Sequence, residues 1–279
     1  MSFKLAMAQM SVTGGAVNLN LGIACRMIRD AAAAGCQVVL LPEALDTGWT
    51  HPSGLHLAEP IPGGSTYRTL ADAAARHRLI VCAGLTERSG GRVDNSAVII
   101  DRHGELVLLH RKLNELEIGQ AFYAQGDRLG VAHTDVGVLG LMICADGFAH
   151  QQAISQTLGY MGADMILSPC AWAVTLDHDN TADPYGSLWR DVYGVVCRQF
   201  GVWIVGVSCV GEITEGPWTG HRCIGCSMAV DPDGHVACQG PYGGDAEALL
   251  TLDIDLLPRP ARGAQWADVW NRTHRPNAI

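Results

Sequence analysis

The chain has 279 residues, 48% of them hydrophobic, with 28 acidic against 19 basic side chains and a formal net charge of −9. That apolar fraction supports a sizeable buried core and excludes disordered or fibrous classes, and Lys and Arg scattered along an acidic chain leave no electrostatic footprint for nucleic acid. No linker-like or highly charged run divides the sequence, so residues 1–279 are expected to form a single α/β domain, an ordinary arrangement at about 250 residues.

Residues 3–10 alternate in polarity and predict a strand. Asn18 is then expected to cap a helix whose Leu21, Ala24, Ile28 and Ala31 form an apolar stripe, with Gly35 ending it. The run QVVLLPEAL predicts a short buried strand ending at Pro42-Glu43, and a helix and another strand follow within residues 65–85. Residues 95–112 hold two β-rich runs joined by Asp101-Arg102-His103-Gly104, a hairpin turn in which the glycine can take positive φ. From Val136 a second strand, helix and strand are expected, then a helix over 187–200 leading into VWIVGVSCV. A second hairpin turns at Asp231-Pro232-Asp233-Gly234. Two such halves predict two sheets packed face to face with helices outside.

Most of the ten cysteines sit in apolar runs, such as Cys82 in LIVCAGL and Cys209 in VGVSCV, and read as small buried hydrophobes. The start MSFKLAMAQM lacks the basic stretch and long apolar run of a secretory signal, and no segment offers about twenty uninterrupted apolar residues; a cytoplasmic location without membrane contact is expected. Cys223-Ile224-Gly225-Cys226 has redox-pair spacing but lacks the strand–CxxC–helix context. Asp177, His178, Asp179 and Asp183 read as a solvated loop rather than metal ligands. The Gly-rich SGGRVD and PGGS lie outside any strand–GxxxxGK[ST]–helix setting and read as turns.

Three polar residues stand at the ends of apolar strands: Glu43 after VVLLP, Lys112 after ELVLLHR and Cys144 after GLMI. Strand ends in α/β proteins let a side chain project into a crevice while the sheet holds its position. Singly, each has a blander reading, a solvated strand terminus or an inert buried thiol. Together they supply a nucleophile, a carboxylate for proton transfer and a cation for a developing oxyanion.

The segments LPEALDTGW, HRKLNELEIGQAFYAQGD and LMICADGFAH, in this order and spacing, resemble the three signature segments of the nitrilase superfamily of carbon–nitrogen hydrolases. The resemblance spans most of the chain, including AQM, SPCAWAV and SMAVDPDG. It implies a four-layer α-β-β-α sandwich and triad roles for Glu43, Lys112 and Cys144, with no metal or organic cofactor. It also implies a second glutamate between the lysine and Gly126-Asp127; Glu115 and Glu117 both qualify, and Glu117 lies closer to the expected position. A thiol pKa near 8.5 could be lowered by Lys112 and by a helix after Cys144, and the Ala145 N–H could share an oxyanion with Lys112.

Cys144-Ala145-Asp146 is similar to the Cys-x-Asp of amidases and carbamoyl hydrolases rather than the Cys-Trp-Glu of true nitrilases. The aromatic-Pro-Glu that usually follows in aliphatic amidases is replaced by Phe148-Ala149-His150-Gln151. Ala145, Asp146 and Trp172 are expected to bind substrate, with Trp49, Phe148 and Ala171 in segments that line the pocket in relatives. The expected function is cysteine-dependent hydrolysis of a small linear amide through a thioester, with an N-carbamoyl compound, acyl transfer to another acceptor, or a silent assembly subunit as alternatives. The resemblance further implies a homodimer at least, and 258–270 is a candidate for self-association.

Overall fold

The computed structural model describes residues 2–258 and, beyond them, Trp266, Val269, Trp270, Arg272 and Thr273. In the first half, strands β1 (Ser2–Gln9) and β2 (Val38–Leu40) flank helix α1 (Val17–Ala33). Helices α2 (Gly54–Leu57) and α3 (Ser65–His77) precede β3 (Ile80–Ser89), β4 (Arg92–Ile100) and β5 (Leu106–Arg111). In the second half, β6 (Val131–Thr134), β7 (Gly137–Leu141), α4 (Ala153–Met161) and β8 (Met165–Cys170) are followed by β9 (Ala173–Thr175), α5 (Ser187–Phe200) and β10 (Trp203–Ser208). The short strands β11 (Val210–Ile213), β12 (His221–Ile224), β13 (Met228–Val230) and β14 (Val236–Gln239) lead to β15 (Ala248–Asp255).

The strands form two six-stranded sheets, ordered β15-β1-β2-β3-β4-β5 and β14-β13-β10-β8-β7-β6, and a small sheet β11-β12-β9. Read from β6, the second sheet repeats the first: an antiparallel edge strand, three parallel strands, then two antiparallel ones. The two-half organisation expected from the sequence is therefore present, although β15 crosses from the far end of the chain to pair with β1 over eight residues.

Strand alternation decides the layers. Phe3, Leu5, Met7, Val38, Leu40 and Ile80 join Leu139, Leu141, Ile166 and Ile204 of the other sheet in one core, to which α4 and α5 add Leu158, Val192 and Val196. The opposite faces of β1, β2 and β3 put Ala6, Ala8, Val39, Leu41 and Val81 against Leu21, Ala24 and Ile28 of α1 and Leu70 and Ala74 of α3. Each fully buried Leu or Ile side chain contributes roughly 2 kcal/mol. Helices thus lie outside two facing sheets, an arrangement consistent with the α-β-β-α sandwich.

The predicted α1 stripe is buried as expected, but its N-terminus differs. Ala16, not Asn18, precedes the first helical residue, and no side chain caps it. Asn20 holds the entering loop instead, accepting from the Thr13 N–H at 3.0 Å and donating to the carbonyls of Thr13 at 2.8 Å and Asp46 at 2.9 Å. All ten cysteines are free, eight of them buried. Among the described residues no helix is long and apolar enough to cross a membrane. The 258–270 segment lies for the most part outside the described residues.

Candidate active site

Glu43, Lys112 and Cys144 converge on one cavity of about 120 Å³ between the strand ends of the two sheets. Glu43 lies beyond β2, its N–H donating to the Cys170 carbonyl at the end of β8 across the sheet interface (3.2 Å). Gly84 of β3 makes that path possible, since a Cβ there would sit 2.5 Å from Glu43 Cα and 2.8 Å from the Pro42 carbonyl oxygen. Gly84→Ala is therefore expected to cost about 1–3 kcal/mol of stability and to displace Glu43. Thermal unfolding and turnover read both effects; wild-type values in both would show that the contact is not tight.

Lys112 follows β5, its backbone held on both sides: its N–H donates to the Asn95 carbonyl and its carbonyl accepts from Gly126, each at 2.9 Å. The ammonium is buried between two carboxylates, donating to Glu43 Oε1 at 2.8 Å and Glu115 Oε1 at 2.9 Å. Asn95 Nδ2 ties the same carboxylates together, donating to Glu43 Oε1 at 2.7 Å and Glu115 Oε2 at 2.9 Å. Burial lowers the Lys112 pKa, but the charges of Glu43 and Glu115 more than reverse it and keep the amine protonated. Burial raises the Glu43 pKa and the Glu115 charge adds to this; Lys112 opposes them without cancelling the rise.

The second-glutamate expectation needs correction: geometry puts Glu115, not Glu117, against the lysine. Glu117 opens a single 3₁₀ turn, Glu117–Gly119, on the exposed side. That turn brings Gly119 over Glu115, where a Cβ would lie 2.7 Å from the carboxylate, so chain direction after the strand decides between the two. Hydrogen bonds to charged groups are worth about 1.5–3 kcal/mol, so Glu115→Gln is expected to lower kcat by roughly 10- to 100-fold. Glu117→Gln should leave it nearly unchanged. Steady-state kinetics of the two variants decides the matter, and the reverse ranking would reject the assignment.

Cys144 sits at a sharp elbow three residues past β7, with φ of +42°, an unfavourable conformation for a residue with a Cβ. Its N–H donates to Ser168 Oγ at 3.2 Å. The next N–H to be used, that of Asp146, goes to the Ile143 carbonyl, whereas the intervening Ala145 N–H finds no partner among the described residues. The α-helix expected directly after the cysteine is not there: Cys144–Phe148 is one 3₁₀ turn, and α4 begins at Ala153. The expectation of a thiol acidified by its surroundings also fails. Contact with the Cys170 thiol, burial and the Glu43 charge push the Cys144 pKa well above the ordinary value, against the opposing pull of Lys112. Alkylation of the free enzyme at Cys144 by iodoacetamide is therefore expected to keep accelerating as pH rises beyond 9; a plateau near neutrality would instead demonstrate a preformed thiolate.

Asp146 was expected to bind substrate, and it does not face the cavity. Its buried carboxylate accepts from His110 Nε2 (2.8 Å) and from the N–H groups of Ile143 (2.9 Å), Leu113 (3.0 Å) and Asn114 (2.8 Å). Burial raises its pKa, yet the His110 and backbone hydrogen bonds outweigh that and hold it below the ordinary value. Asp146 thereby fastens the cysteine elbow to the residues that follow Lys112. Asn114 Nδ2 adds a bond to the Ala145 carbonyl at 2.6 Å.

Ala145 and Trp172 do line the cavity, with Trp49, Phe148 and Ala171. The sequence reading missed Leu116, Ala173, Tyr185, Trp189 and Trp218, which complete the lining, and it missed Asn95 and His110. Trp218, an aromatic residue in the polar Gly-rich ITEGPWTG, was the readable signal among them. The described residues bring Asp231, Asp233 and His235 together as metal-capable groups in the β13–β14 turn, where Asp231 Oδ1 accepts the N–H groups of Asp233 and His235 and so shapes the turn itself.

Two facing sheets bury an acid, a cation and a thiol together where their strands end, the groups that cleavage of a carbon–nitrogen bond by a cysteine nucleophile would use. The carbon-nitrogen hydrolase family model matches residues 4–257, and the chain belongs to that family. It is 32% identical over 259 residues to a nitrilase of Pyrococcus abyssi, covering 91% of each chain. It is 30% identical to an omega-amidase of Bos taurus, covering 91% of this chain and 89% of the relative. The fold is shared with a carbon-nitrogen hydrolase from Helicobacter pylori G27 at a TM-score of 0.81, 19% identity and coverage of 99% and 94%. An amidase mutant of Nesterenkonia sp. AN1, crystallised with acrylamide added to its active-site cysteine, superimposes at a TM-score of 0.75 and 18% identity, with coverage of 96% and 99%.

Proposed function

We propose that the protein hydrolyses the C–N bond of a small amide through a Cys144 thioester, releasing ammonia and a carboxylic acid. The observation that carries this reading is the Lys112 ammonium, held at 2.8 and 2.9 Å between Glu43 and Glu115 in the cavity that also contains Cys144. Both hydrogen bonds of the Glu43 side chain fall on Oε1, which leaves Oε2 to take the thiol proton as Sγ attacks the carbonyl carbon. The oxyanion then forms between the Lys112 Nζ and the unpartnered Ala145 N–H. Glu43 returns its proton to the departing nitrogen, ammonia leaves and the thioester remains. A water deprotonated by Glu43 attacks that thioester, the oxyanion collapses, and the proton passes back to sulfur.

This mechanism suits a thiol whose pKa is raised, because proton removal is concerted with attack and no free thiolate need persist in a cavity lined by the Glu43 carboxylate. A hydrolase of this kind works on soluble small molecules and uses the chain's own residues for every proton transfer.

The test is ammonia release from small aliphatic amides, amides carrying a terminal carboxylate, N-carbamoyl amino acids and nitriles, with rapid quenching and intact-mass measurement. Amide turnover accompanied by one acyl group on Cys144 is expected. Added hydroxylamine should divert the acyl group to a hydroxamate. Ammonia formed with no acyl adduct under any quench would remove the thioester, and a chain inert to every compound with an unreactive Cys144 would remove the enzymatic reading.

A further inference from the structure

The cavity wall points to the substrate, an inference that rests on the amidase reading above. Four of the seven tryptophans, Trp49, Trp172, Trp189 and Trp218, line it together with Phe148 and Tyr185. Trp172 and Trp189 stack at 4.6 Å between ring centroids, and Phe148 closes on Trp189 at 4.4 Å. Opposite them Trp49 and Trp218 meet edge to face at 5.2 Å. These ring-to-ring contacts fix a largely apolar aromatic wall, with little freedom to reshape around a different ligand.

Charge in the lining is as informative as shape. Among the described lining residues the sole cation is Lys112, and both Glu43 and Glu115 already claim it. A substrate carboxylate would enter an aromatic cavity with no unclaimed cation and with two carboxylates nearby, an arrangement that opposes its desolvation. A substrate ammonium would find only Glu43 and Glu115, carboxylates already paired with Lys112. The indole N–H groups of Trp49 and Trp172 are buried without a partner, donors suited to a neutral acceptor. Size adds an upper limit, since 120 Å³ is below the roughly 150 Å³ of an apolar protein cavity that takes up benzene.

We propose that the enzyme selects compact, uncharged primary amides whose apolar acyl part is smaller than a six-membered ring, and excludes amides that carry a carboxylate or an ammonium. Selection arises from the tryptophan wall and from the absence of a free countercharge, so it acts on binding before any chemistry.

Two measurements separate this inference from the reaction itself. Tryptophan fluorescence of Cys144→Ala is titrated with isobutyramide, butyramide, succinamate and β-alaninamide, and kcat/KM is measured for the same compounds with the unaltered enzyme. The neutral amides are expected to bind at least tenfold more tightly and to be turned over at least tenfold more efficiently than the two charged ones. Leu116→Arg, a change at the exposed rim of the cavity, should raise succinamate relative to butyramide at least fivefold by supplying the missing cation. Binding of succinamate or β-alaninamide as tight as that of the neutral amides, no response to either neutral amide, or an unchanged ratio in Leu116→Arg would each overturn the selectivity. Preferential binding of neutral amides with no turnover would instead remove the hydrolytic reading and leave the selectivity standing.

Discussion

Cys144→Ala is expected to lower amide turnover by at least about 10⁴-fold, because the variant has no atom to form the acyl-enzyme. Lys112 and the Ala145 N–H would still be in place, so the bound amide would face an oxyanion site with nothing to attack its carbonyl. Alanine keeps the Cβ, so the strain of the +42° φ is unchanged and the fold should be as stable as the parent to within about 1 kcal/mol. Loss of turnover with an intact fold is the required combination, read by ammonia release and denaturant unfolding on the same preparation. Residual turnover within tenfold of the parent would show that another group carries the chemistry. Glu43→Gln should approach the same loss by a different route: no base takes the thiol proton during attack, whereas alkylation of Cys144 should be at least as fast as in the parent, because the Glu43 charge that raises the thiol pKa is gone.

Asp146→Asn is expected to destabilise the protein by about 3–5 kcal/mol at neutral pH, because buried donors lose the carboxylate that satisfied them at a cost of about 1–3 kcal/mol each. Four donors converge on that carboxylate, and an asparagine would turn its own NH₂ toward one of them. The folded pKa of Asp146 is depressed, so its contribution is present above the unfolded value of about 3.9 and is lost as pH falls through the lower folded value. The difference between variant and parent should therefore be full near pH 7 and shrink below about pH 4. Urea unfolding across that range tests it; a difference of less than 1 kcal/mol at pH 7 would mean that the carboxylate does not hold the elbow. Turnover should fall as well, because the segment after Lys112 and the Cys144 elbow lose their common anchor.

That Glu43, Lys112 and Cys144 share one cavity was expected from the resemblance of their segments to a known family, and the strand-end position of each pointed the same way. Glu43 follows VVLLP, Lys112 follows ELVLLHR and Cys144 follows GLMI, and strand ends carry the side chains that face a crevice. The choice between Glu115 and Glu117 was not legible. Both lie within five residues of Lys112, and the outcome depends on how the 3₁₀ turn places Gly119. Asp146 was read as a substrate ligand because it is a carboxylate two residues from the nucleophile. Only the folded chain shows four donors closing around it, one of them from a histidine 36 residues away. Likewise the thiol was expected to be acidified by Lys112, a pairwise argument that omitted burial, Cys170 and Glu43.

By itself the sequence determined the local elements, the two-half order and the composition of the core, and placed the three candidate reacting groups at strand ends. These follow from periodicity, turn chemistry and strand-end position, all of which act over a few residues. Tertiary structure decided which glutamate meets the lysine and how the elbow is fastened. It also decided that β15 closes the first sheet against β1 and that four tryptophans from separate loops and a helix wall one cavity. Those outcomes depend on contacts between residues tens to hundreds of positions apart, where packing and burial select among partners that local propensity leaves equivalent.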